Sequence, residues 1–132
     1  MGVMTRARIQ GISPFFIVAD LAASIAFYRD RLGFELVFQG PEDDPFFAIV
    51  RRDAAMILLK DVGLAPLPNR RRQPQARWDA YLHVPDPDTL AAELASRGVT
   101  FSVPLKDTDD GLRGFELEDA DGYVLFLGRP RA

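Results

Sequence analysis

The stretch Ile12–Phe34, ISPFFIVADLAASIAFYRDRLGF, reads as a strand, an abrupt stop and an amphipathic helix. Ile12 to Val18 is an apolar, aromatic and β-branched run, which suits a largely buried strand. It stops at Ala19-Asp20, and Asp20 carries the short acceptor side chain that caps a helix N-terminus. Behind it Leu21, Ile25, Tyr28 and Leu32 recur at helical spacing, and Gly33 supplies the left-handed residue with which helices commonly end. The spacing predicts a helix over 21–32. Three strands are expected next, at Phe34–Phe38, Phe46–Val50 and Met56–Leu59. Pro41 to Pro45 and Arg51-Arg52-Asp53 separate them as turn material, so the last two form a hairpin.

The second half repeats the plan. Ala80–Val84 reads as a strand, Asp86 as a helix cap with Pro87 at the first helical position, and Leu90 and Leu94 as the buried stripe. Gly98 ends that helix, and strands are expected at Val99–Val103, Gly114–Leu117 and Val124–Leu127, the last two joined by Asp119-Ala120-Asp121-Gly122. Asp20 matches Asp86, Gly33 matches Gly98 and Asp53 matches Asp121, at offsets of 66, 65 and 68 residues. So steady an offset marks an internal repeat. Val62 to Arg77, with three prolines and the run Arg70-Arg71-Arg72 but no periodicity, reads as a linker over the surface. One domain over 1–132 is expected: module one at about 10–61, the linker at about 62–77 and module two at about 78–130.

Composition bounds the chemistry. With 132 residues, 48% of them hydrophobic and 27% charged, the chain suits one globular domain, and it has no apolar run long enough to cross a membrane. Met1 to Gln10 lacks an apolar stretch followed by a cleavage site, so no secretory signal is read there and a cytoplasmic location is expected. The absence of cysteine excludes disulfides, thiolate metal sites and a cysteine nucleophile. A net charge of -3 gives no general pull toward nucleic acid, so neither nucleic acid nor membrane is expected as a partner. Arg70 to Arg72 lacks interleaved aromatics and reads as a solvated linker.

The segments Phe16-Ile17-Val18-Ala19-Asp20-Leu21, Ser24-Ile25-Ala26-Phe27-Tyr28 and Leu32-Gly33-Phe34 resemble the opening of the vicinal oxygen chelate superfamily: the glyoxalase, bleomycin-resistance and ring-cleaving dioxygenase proteins. The run Phe115-Glu116-Leu117-Glu118-Asp119-Ala120-Asp121-Gly122 resembles that superfamily's ending, although a proline more often follows the first aspartate. The resemblance covers nearly the whole chain. It implies an α+β fold of two tandem βαβββ modules, a curled mixed sheet around a central cup, in a homodimer. Its metal enzymes hold a divalent ion with cup-facing His, Glu or Gln from the first and last strands of each module. Counting from Asp20, Asp86 and the hairpin aspartates puts those positions on Ser13, Asp79, Leu58 and Phe126. One carboxylate beside a serine and two hydrocarbon side chains is a poor set for a divalent cation. No metal and no other cofactor is therefore expected.

Alternation of faces along each strand turns Phe15, Ile17, Met56, Tyr81, His83 and Val124 into the cup with those four positions. Across the hairpins Phe47 is expected opposite Leu58, and Phe115 opposite Phe126. The expected ligand-binding residues are Phe15, Phe47, Leu58, Trp78, Asp79, Tyr81, His83, Phe115 and Phe126. Such a lining suits a small hydrophobic or aromatic, antibiotic-like molecule, oriented by Asp79, the Tyr81 hydroxyl and His83. The plainer alternative for each aromatic is core packing, for Asp79 a turn cap, and for Trp78 the edge of the core or a dimer contact. His83, the single histidine, lacks an evident nucleophile or metal partner, so no catalytic residue is assigned. The acidic loops Glu42-Asp43-Asp44 and Asp107–Asp110 suit a cationic ligand or simple solvation, and the second lacks the register of a calcium loop. Three functions stay open: a metal-independent sequestering protein, a glyoxalase- or dioxygenase-like enzyme built on carboxylates such as Asp79 with Glu116 or Glu118, and a structural or regulatory module.

Overall fold

In the computed structural model, residues 4–131 are described, and each half of the chain builds its own four-stranded sheet. In the first, β1 (Phe15–Ile17), β2 (Glu35–Gly40), β3 (Phe47–Arg52) and β4 (Ala55–Lys60) lie in the order β1-β4-β3-β2. In the second, β5 (Ala80–His83), β6 (Val103–Asp107), β7 (Leu112–Glu118) and β8 (Val124–Pro130) repeat it as β5-β8-β7-β6. The opening strand of each half runs parallel to the closing one, and the other pairs are antiparallel. The class is α+β, as the repeat implies. The strands form two four-stranded mixed sheets, neither of them closed.

Helix α1 (Leu21–Ala26) starts where Asp20 accepts a hydrogen bond from the Ala23 amide at 3.1 Å. It does not run on as a regular helix to Leu32: Phe27–Arg31 is a π-helical turn, closed by the Leu32 amide on the Phe27 carbonyl and by Gly33 at φ 73°. Helix α3 (Pro87–Ser96) opens on the Asp86 side chain and closes at Gly98, φ 82°. Strand β6 forms four residues later than its apolar run suggests. The Val99 amide is bonded to the Leu94 carbonyl as part of the helix ending, and Phe101 packs on Phe115 with centroids 4.5 Å apart, so 99–102 is spent turning the chain. Pro104 is tolerated because β6 is an edge strand. The linker is more than a surface run. Pro68 is buried, Asn69–Arg72 forms the short helix α2, and the Asp79 carboxylate accepts from the amides of Asn69 (2.9 Å) and Val124 (2.8 Å).

The helix-facing sides of both sheets share one core. Phe16, Val50, Ile57 and Leu59 of the first half cluster with Phe115, Leu117, Leu125 and Leu127 of the second, with Tyr28, Leu32 and Leu94 between them. Polar ties reinforce the joint. Tyr28 donates its hydroxyl to Asp119 at 2.7 Å, Ser24 and the Ala19 amide donate to Asp121 at 2.8 and 2.9 Å, and Tyr123 stacks on Phe16 while donating to the Ile17 carbonyl at 2.6 Å. Arg52 reaches across to Glu93 with two hydrogen bonds, at 2.7 and 2.9 Å.

Asp119 is the buried charge of this joint. Desolvation pushes its carboxyl up to about 6, against the Tyr28 hydroxyl and the Asp121 and Tyr123 amides, which favour the ionised form. A folded-state value above the ordinary 3.8 means that protons bind the folded protein more tightly, so this contribution is complete below about pH 4 and lost as pH rises through 6. Comparing wild type with Asp119→Asn by urea unfolding isolates it. The wild type is expected to lose about 2 kcal/mol relative to the variant between pH 4 and 7. A pH-independent difference would show that Asp119 is ionised throughout.

Candidate functional site

With the helix-facing sides in the shared core, the opposite side of each sheet faces outward. On the first sheet that side carries Phe15, Leu58, Phe47, Ile49 and Phe38, fixed by the pairings Phe15 with Leu58, Ile49 with Leu58 and Phe38 with Ile49. Phe15 and Phe38 are each 51% exposed, and both lie 6.2 Å from the Phe47 ring, centroid to centroid. Phe47 pairs with Lys60, not with Leu58 as the hairpin count suggested: the turn is Asp53-Ala54, with Asp53 at φ 51°, one residue later than that count implies, and the partner moves by two. The shift is even, so Phe47 keeps its face.

On the second sheet the shift is odd and the face changes. Phe126 pairs with Glu116, and Phe115 pairs with Leu127. Phe115 therefore points into the shared core, fully buried against Phe101, and is not a cup residue. The outward side holds Phe126, Tyr81 and His83, in register through Tyr81 with Phe126 and His83 with Gly128. Trp78 joins them from just before β5: its ring stacks on Phe126 at 4.6 Å and 28°, meets Tyr81 edge-on at 5.4 Å, and donates from Nε1 to Glu116 at 3.1 Å. Tyr81 lies 5.0 Å from Phe126 and 4.5 Å from His83. Phe126, 1% exposed though outside the shared core, owes its burial to these rings and to Gly114 and Gly128 beneath it. A Cβ at Gly114 would stand 2.6 Å from the Phe126 ring, and one at Gly128 2.7 Å, so the ring lies flat where only glycines allow it.

A groove of about 370 Å³ opens beside this stack, between β6, β7 and the loop that joins them. Its floor is Gly114, Phe126 and Glu116, and Val103, Lys106, Asp109, Asp110 and Arg77 wall it. The Arg77 guanidinium lies over the Trp78 ring, 4.2 Å from its centroid, and is ion-paired with Asp110. A second cleft, of about 500 Å³, lies on the helix side around Phe27, Asp30, Arg31 and Arg97, where Arg31 is held by the Arg97 carbonyl at 2.7 Å. It contains none of the expected binding residues.

The positions implied for metal ligands do not fit a divalent ion. Leu58 and Phe126 offer no donor atom, both Asp79 oxygens accept backbone amides, and Ser13 precedes β1. Among the described residues no three His, Asp or Glu side chains converge. Asp79 is thus the turn cap of the sequence alternatives and fixes the linker to β8. The residues the sequence reading missed are Arg77, Phe38 and the glycine pair. Gly114 and Gly128 are signalled in the sequence only as glycines inside strand patterns.

Residues 8–127 match the model of the Glyoxalase/Bleomycin resistance protein/Dioxygenase superfamily, and the chain belongs to that family. No curated protein matches it. Among solved structures, the bleomycin-binding protein of bleomycin-producing Streptomyces verticillus, in complex with copper(II)-bleomycin, is 26% identical with a TM-score of 0.69, over 92% of this chain and 97% of that one. TnmS3, an antibiotic-binding protein from Streptomyces sp. CB03234, is 23% identical with a TM-score of 0.65, over 97% and 99%. TioX from Micromonospora sp. ML1 is 17% identical with a TM-score of 0.71, over 91% and 98%. The last two show the fold. Among the described residues no helix is long and apolar enough to cross a membrane.

Proposed function

We propose that the chain is a metal-independent binding protein that sequesters a small hydrophobic or aromatic, antibiotic-like molecule, as a cytoplasmic homodimer. The observation that carries this reading is the Trp78–Phe126–Tyr81 stack, with hydrocarbon at two of the four positions where the metal enzymes of the family need donors. Flat, rigid rings beside a groove bind planar molecules by stacking and burial, and activity is stoichiometric. The bleomycin-binding relative supports the ligand class.

The outward faces support the homodimer. Phe15 and Phe38 stand half exposed on one sheet, and the second module turns its own aromatic face the same way, away from the shared core. A second copy that lays its second sheet over the first sheet of its partner covers both and makes a two-walled cup.

Titration with metal-free bleomycin and with planar aromatic antibiotics tests the function. Trp78 is the only tryptophan, so emission reports on the stack itself. Saturable binding, unchanged by chelator, is expected, with Trp78→Ala weakening it about tenfold or more. A tightly held divalent ion together with turnover abolished by chelator would replace this reading with an enzymatic one.

A further inference from the structure

Arg77 sits where a ligand ring would be expected to stack. Its guanidinium is planar and delocalised, lies 4.2 Å from the centre of the Trp78 ring, and is neutralised by Asp110. Phe126, nearly parallel to the indole at 4.6 Å, covers one face, which leaves the other to Arg77. The groove's lining accordingly includes Arg77 and not the indole that it covers. Asp110 is itself held in place by Thr108, whose hydroxyl donates to its other oxygen, and the Arg77 and Asp110 side chains are about half exposed, at 49% and 50%. The latch is therefore formed but shallow, because an exposed ion pair is weak and the stem of Arg77 is free to swing into water.

We propose that Arg77 is a built-in occupant of the cup, displaced by the ligand, and that the Asp110 carboxylate it leaves behind selects for a planar, delocalised cation. The proposal rests on the reading of the Trp78 stack as the binding wall. A neutral ring that takes the place of the guanidinium recovers the stacking but leaves Asp109, Asp110 and Glu116 facing the groove against Lys106 alone. A planar cation recovers the stacking and the ion pair together. Asp110 then passes from a side chain to a ligand with its charge balance unchanged. Arg77 thus sets a threshold that excludes molecules stacking less well than a guanidinium with its own counter-ion.

The test compares wild type, Arg77→Ala and Arg77→Ala/Asp110→Asn by calorimetric titration with two planar probes, proflavine as the cation and N-phenyl-1-naphthylamine as the neutral ring. Removing Arg77 is expected to tighten both probes ~3-fold, as each is relieved of the same competing occupant. The double variant is expected to weaken proflavine ~3-fold relative to Arg77→Ala and to leave the neutral probe unchanged. Without ligand, acrylamide quenching of Trp78 should rise in Arg77→Ala, because the uncovered face becomes accessible. Equal affinities in wild type and Arg77→Ala, with Trp78 emission still responding to the probes, would overturn the proposal and leave the cup standing. Equal responses of the two probes to the loss of the Asp110 charge would overturn the selection for a cation. Failure of both probes to bind any of the three proteins would bring down the cup reading and the proposal together, whereas unchanged quenching would overturn the occupancy of the indole by Arg77 alone.

Discussion

Asp119→Ala is expected to be among the most destabilising single substitutions outside the apolar core, lowering the unfolding free energy by about 3–5 kcal/mol. The carboxylate accepts the Tyr28 hydroxyl and the amides of Asp121 and Tyr123, all at a site that is 7% exposed. Alanine leaves three donors without an acceptor in a space with little room for water, and each buried unsatisfied group costs about 1–3 kcal/mol. Relief from burying the charge at neutral pH offsets part of the sum. Tyr28→Phe removes only one of the three bonds and should cost about 1–2 kcal/mol, so the two variants bracket the joint in urea melts. A loss below about 1 kcal/mol for Asp119→Ala would mean that the hairpin opens to solvent and the joint contributes little.

Gly128→Ala should have a comparable effect by a different route. The added Cβ would stand 2.4 Å from the Arg113 carbonyl oxygen and within 2.8 Å of two atoms of the Phe126 ring. The ring would have to leave its bed or β7 and β8 would have to part, and overpacking of this kind costs about 1–3 kcal/mol or more. Trp78 emission should shift with it, because Trp78 stacks on Phe126. Gly11→Ala is the control, with nothing within 4 Å of its Cβ. In a Phe126→Ala background the penalty at Gly128 should shrink to the clash with the carbonyl, whereas an unchanged penalty would mean that the ring never bore on the glycine.

These two sites also show what was and was not legible in the chain. The repeat, the caps at Asp20 and Asp86 and the left-handed glycines at Gly33 and Gly98 could be read, because each depends on a few neighbouring residues. Faces across a hairpin depend on where the turn closes. At Asp53 the misplaced turn moved the partner of Phe47 by two residues and preserved its side, and at Phe115 a single residue reversed it. The late start of β6 and the short helix at Asn69 were hidden for a related reason. The Val99 amide is engaged by the helix before it, and Asn69 is anchored by Asp79, ten residues on, a contact with no local pattern. Of the wall, Trp78, Tyr81, His83 and Phe126 were legible through alternation, but the place of Arg77 on the indole depends on Asp110, thirty-three residues distant.

The joint between the halves also constrains how the chain is made. Ala19 and Asp121 are 102 residues apart, and the core side of the first sheet is completed by Tyr123, Leu125 and Leu127. During synthesis at about 5–20 residues per second, Phe16 and Tyr28 wait some 5–20 s on the ribosome before the residues that cover them emerge. Through that interval the nascent first module presents two apolar sides, one awaiting its own C-terminal half and the other carrying Phe15 and Phe38, which makes it a natural client for a ribosome-associated chaperone.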